Sequence, residues 1–139
     1  MALALTACGG GPSGSAASQR SAIRRTIATF MREFAAGDAM VACEGLTVGG
    51  ASSLTTAVGP ELGNFGIDGC VAVIRVTASE LPSAVRRELS AVTVGAVTLN
   101  GSSATVEWSA LPRSVAAYFG SAKPIEMIWE HNFWYINGF

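Results

Sequence analysis

Apolar residues first recur at helical spacing. Ile23, Ile27, Phe30 and Phe34 stand four, three and four positions apart, which puts them on one face of an α-helix. Arg20, Arg24, Arg25 and Arg32 fall mainly on the other faces, and the pairs Arg24-Arg25 and Arg86-Arg87 read as solvated. Ser18 or Ser21 can cap the start of this helix, and Gly37 can stop it. Asp38 then caps a second short helix over 39–46, which carries Cys43. A weakly patterned third helix is expected over 49–58. Gly59, Pro60 and the glycine-rich run 63–69 read as a loop. Another helix is expected over 70–79, and Pro82 opens a short one that ends at 88.

The period then changes. Val92 and Val94 alternate, as do Val97 and Leu99, but the two pairs are out of phase across Gly95 and Ala96. A strand with a β-bulge gives that phase slip. Asn100-Gly101-Ser102-Ser103 is a hairpin turn, and Ala104, Val106 and Trp108 alternate in the returning strand. Beyond Pro112, residues 113–120 read as irregular or briefly helical. Residues 125–130 and 133–136 form a last hairpin around His131 and Asn132. Helices come first and an antiparallel sheet last, the order of an α+β domain with helices packed on one face of a curved sheet.

Composition narrows the class. The 139 residues are half apolar and 14% charged, which suits one domain with its own core. No stretch approaches the ~20 apolar residues of a membrane helix. A formal charge of −1 argues against nucleic acid as a partner, because such binding needs concentrated positive charge.

Leu5-Thr6-Ala7-Cys8 resembles the lipobox of bacterial lipoproteins. In that family the chain is cut before the cysteine, which carries a diacylglyceryl group, and small neighbours such as Ala7 and Gly9 are required. Residues 9–18 are rich in Gly and Ser, as a flexible tether is. The basic and apolar parts of a signal peptide are incomplete before Cys8, so the start of translation is expected upstream. The resemblance implies a partial signal peptide over 1–8, a linker over 9–18 and a folded domain over 19–139. It also implies a location on the outer face of the cell membrane, with the membrane as partner through a lipid on Cys8.

The first helix ends in Phe30, Phe34, Ala35, Ala36, Gly37 and Asp38. A cysteine follows shortly, then a late hairpin, then Trp134, Ile136 and Gly138. This order resembles the NTF2-like superfamily, and among its members the small exported actinobacterial lipoproteins. The resemblance implies a cone: a long helix crossing a bent sheet, with an apolar pocket at the open end. The chain departs from it between 49 and 90, where strands are usual in the family and none is legible here. Exported relatives often join the two remaining cysteines, so the resemblance and an oxidising compartment imply a Cys43–Cys70 disulfide. A catalytic thiolate would need a nearby base, and His131 is the only histidine.

Eight of the eleven aromatic residues follow position 107. Either they fill the core of a small sheet or some of them line a ligand pocket. Phe30, Phe34, Trp108, Trp129, His131 and Trp134 are the candidate pocket residues. The expected function is binding of a small apolar ligand or a protein partner without catalysis. The alternative is an isomerase- or cyclase-like enzyme using His131 or one of Glu107, Glu126 and Glu130 as base. A second alternative is a structural module acting only through its outer surface, and a homodimer through the outer sheet face fits the resemblance. Two cysteines and one histidine lack the close spacing of metal ligands. No phosphate-binding glycine loop or nucleophile elbow occurs, so no cofactor is expected.

Overall fold

The computed structural model describes residues 11–58, 66–120 and 122–139. The lipobox with Cys8, and the expected loop up to residue 65, lie outside the described residues. Helix α1 spans Ala16–Ala36. Its N-cap is Ser15, whose side chain accepts from the Ser18 N–H, rather than Ser18 or Ser21. The first three residues of the helix therefore lie inside the expected linker. Gly37 ends it with φ of 74° and donates to the carbonyls of Glu33 and Phe34, the left-handed stop that glycine allows. Ile23, Ile27, Phe30 and Phe34 are all buried, joined by Thr26, Met31 and Ala35. The buried face is wider than the sequence stripe because α1 has neighbours on several sides.

Asp38 accepts from the Val41 N–H and caps α2, Ala39–Glu44. Next come α3 (Val48–Val58), α4 (Gly66–Ser79) and α5 (Ser83–Ser90). Helix α4 begins four residues before Cys70, inside the run expected to be loop. Glycine is a poor helix former, but Asp68 in the first turn complements the helix dipole. Packing on α2 and α3 supplies what propensity lacks. Cys43 and Cys70 form a disulfide between α2 and α4, with both residues buried.

Among the described residues the sheet has four antiparallel strands in the order β1 (Thr98–Asn100), β2 (Ser103–Val106), β3 (Ile125–Glu130) and β4 (Phe133–Gly138). The class is α+β, with helices packed against an open sheet. Two expectations about the first hairpin are corrected. Val92, Val94 and Val97 are not in the sheet, so the bulge expected at Gly95 is absent. The backbone groups there are taken elsewhere: Arg20 Nε donates to Val97 O, Arg24 Nε to Gly95 O, and Gly95 N to Ala110 O. Arg24 thus ties this segment to α1 and is not merely a solvated charge. The register shift of this sheet lies between Glu126 and Met127, opposite β4. Trp108 is also outside β2. It opens a short 3-10 turn, Trp108–Ala110, before α6, Arg113–Phe119.

Ala104, Val106, Ile125, Met127, Trp134 and Ile136 form the buried sheet face. They meet α1 and α3 in one core with Phe30, Phe34, Leu54 and Phe119. Arg86 stitches the helical layer, donating from its two terminal nitrogens to Ala35 O and Ala78 O at 2.7 and 2.6 Å. Those carbonyls lie in the last turns of α1 and α4, where helices carry unpaired acceptors and negative potential.

Candidate functional site: a cleft at the edge of the sheet

His131 and Asn132 set the geometry of the site. Both have positive φ, 49° and 63°, as the central residues of a two-residue type I′ turn require. That turn pairs Glu130 with Phe133, Trp129 with Trp134, Ile128 with Tyr135 and Met127 with Ile136. The residues in an antiparallel pair alternate between hydrogen-bonded and non-hydrogen-bonded partners. Trp129 N donates to Ser102 O, on the β2 side, so Trp129 and Trp134 are a non-hydrogen-bonded pair. The Trp134 N–H and C=O therefore point away from β3, toward the open edge of β4. Ile136, two residues on, faces the same edge. There its N–H donates to Gly45 O at 2.9 Å and its carbonyl accepts from Thr47 N at 3.0 Å, a parallel bridge outside the sheet proper. Before Gly45 the chain turns into α2, and among the described residues no strand accompanies β4 at Trp134.

A cleft of about 850 Å³ opens at that place. Ala22, Arg25, Thr26, Thr29 and Phe30 of α1 form one wall, and Val41, Ala42, Glu44 and Gly45 form the second. Trp129 and the consecutive residues Asn132, Phe133, Trp134 and Tyr135 form the third. Side chains of consecutive strand residues point to opposite faces. Phe133, Trp134 and Tyr135 are three such residues in a row, which can line one cleft only where it follows the strand's edge. Phe30 and Trp134 are each 1% exposed and form the floor, whereas Phe133 and Val41 stand 45% and 41% exposed. Trp129 meets Trp134 edge to face, ring centroids 5.7 Å apart. The Trp134 indole Nε1 is buried with no hydrogen-bond partner among the described residues. A buried unpaired donor is costly, so this group stands out.

Of the six candidate pocket residues, the cleft brings together Phe30, Trp129 and Trp134. Phe34 lies in the core against Phe119 and Tyr118. Burial there pushes the Tyr118 hydroxyl above its ordinary pKa, with a smaller contribution from the negative charge of Glu80. Trp108 stacks on Phe139, and its Nε1 donates to Lys123 O. His131 is exposed in the turn, and its neighbour Asn132 faces the cleft instead. Glu107, Glu126 and Glu130 are exposed and are not among the cleft's lining residues. Sequence reasoning missed the α2 wall, Arg25, Thr29, and Phe133 and Tyr135 as cleft residues. Phe133 and Tyr135 flank Trp134 in an aromatic run, which was the available signal. Nothing in the local pattern of 41–45 marks it as a wall. Among the described residues no group of three His, Cys, Asp or Glu side chains is placed to hold a metal ion. Likewise no described helix is long and apolar enough to cross a membrane.

No protein-family model matches this chain, and no curated protein or solved structure matches it either.

Proposed function

We propose that this chain is an extracytoplasmic binding domain, tethered to the outer face of the membrane by a lipid on Cys8. Its cleft receives an apolar ligand or an apolar segment of a partner protein, without chemical turnover. The observation that carries the reading is the aromatic cleft itself. Phe30, Trp129 and Trp134 underlie it, and Phe133 and Val41 stand exposed at its mouth. Its size is that of small-molecule sites, which are concave and largely apolar with a few placed polar groups. Aromatic rings supply large contact area at low entropic cost. The Cys43–Cys70 disulfide supports export, because disulfides persist in oxidising compartments. Membership of the NTF2-like superfamily belongs to the same proposal. The long first helix lying against an antiparallel sheet supports it, and the four strands of the described residues are fewer than that resemblance implies.

The test is a native mass spectrum of protein expressed from an upstream start in a lipoprotein-processing host and purified from its membranes. The expected result is a diacylglyceryl mass on Cys8 and a non-covalent adduct that the Phe133→Asp variant loses. Phe133 is exposed, so this change leaves the core intact. An unlipidated chain would overturn the tether, and a lipidated chain without any adduct would overturn the binding site.

A further inference from the structure

Trp134 concentrates unmet hydrogen-bonding capacity at one point. Its indole N–H has no partner among the described residues, and the strand register turns its backbone N–H and C=O toward the open edge. On that edge they meet no partner among the described residues. The same edge is completed at Ile136, where Gly45 and Thr47 supply one acceptor and one donor. The missing complement at Trp134 is thus another acceptor and donor, spaced as in a peptide main chain. The rim agrees. Arg25 and Glu44 bring opposite charges to the cleft, which suits a neutral main chain better than an anionic or cationic head group.

Resting on the binding reading above, we infer that the cleft takes an extended peptide segment of another protein as an added strand beside β4, paired with Trp134. Strand addition draws affinity from main-chain hydrogen bonds and selectivity from pockets for alternate side chains. The occupant's main chain accepts from Trp134 N and donates to Trp134 O. One of its apolar side chains packs on Trp129 and Phe30, and the next points out past Phe133. It continues the edge that Gly45 and Thr47 already cover at Ile136. Exposed sheet edges are otherwise templates for uncontrolled pairing. Here α1 and α2 wall the edge so that a single strand can enter.

The experiment uses the oxidised full chain labelled with nitrogen-15, titrated with a short blocked peptide of alternating valine and threonine. Parallel titrations use the same peptide N-methylated along its backbone, and dodecanoate. The expected result is a saturable shift of the Trp134 backbone amide and indole resonances with no shift of the Trp108 indole. N-methylation should weaken binding at least about tenfold. Equal binding of the N-methylated peptide overturns strand pairing. So does a dodecanoate-induced shift of the Trp129 and Trp134 indoles with no response to the peptide, although the apolar-ligand reading then stands. No response to either probe overturns both.

Discussion

Replacing Gly50 by alanine should destabilise this protein, although the same change usually strengthens a helix. Gly50 lies in the first turns of α3, where α3 crosses β4. A Cβ built there would sit 2.2 Å from Ile136 O and 3.1 Å from Ile136 C. Both are backbone atoms in a paired strand and have no rotamer by which to escape. Alanine in place of glycine favours the helix by about 1 kcal/mol. Against that, relieving the clash requires α3 and β4 to separate by the better part of an ångström. Overpacking of this kind costs about 1–3 kcal/mol. The separation also stretches the 3.0 Å bond from Thr47 N to Ile136 O, a loss of about 1 kcal/mol. The expected net effect is a destabilisation of about 1–3 kcal/mol. For a domain of this size that lowers the melting temperature by roughly 4 °C per kcal/mol. Urea unfolding followed by circular dichroism reads the effect as a lower midpoint at unchanged slope, which separates it from changes in the unfolded state. A Gly50→Ala protein as stable as its parent would refute the close approach of α3 to Ile136.

Three further outcomes follow from the packing. Reducing the Cys43–Cys70 bond, or replacing both cysteines by alanine, should cost roughly 3.5 kcal/mol in the loop-entropy account for a separation of 27 residues; a change below about 1 kcal/mol in urea unfolding would contradict it. Trp108→Phe should destabilise more than Trp134→Phe by about 1 kcal/mol, since Trp108 Nε1 donates to Lys123 O and Trp134 Nε1 has no partner among the described residues; the two urea midpoints decide this. The folded-state pKa of Tyr118 lies above its ordinary 10.0, so the native chain holds this proton after the unfolded chain has begun to lose it. The stability linked to Tyr118 is present below pH 10 and is lost as pH rises above it. Tyr118→Phe should therefore flatten the alkaline decline in melting temperature, and an unchanged decline would exclude Tyr118 as its source.

Local signals determined a good part of the architecture. The period of Ile23, Ile27, Phe30 and Phe34 named the buried face of α1, because a helix with one apolar stripe must bury it. Gly37 and Asp38 marked the junction of α1 and α2 through backbone chemistry that needs no distant partner. The alternation on either side of His131 and Asn132 gave β3, β4 and the turn between them. These features depend on residues a few positions apart, so the chain alone carries them.

Other features depend on which distant groups compete for the same backbone. Val92 to Val97 carries a strand-like pattern, yet Arg20, Arg24 and Ala110 claim its polar groups, and it never joins the sheet. Trp108 alternates like a strand residue but turns out of β2 into a 3-10 turn, while Ala110 O accepts from Gly95 N. The aromatic residues were legible as a set but not in their roles: Phe34 and Trp108 fill the core, while Trp134 floors the cleft. That division follows from register, because the two-residue turn decides which backbone groups of β4 face outward. It follows equally from α2, which leaves the edge immediately before Gly45. An open edge is a property of what does not run beside a strand, and only the assembled tertiary structure decides that.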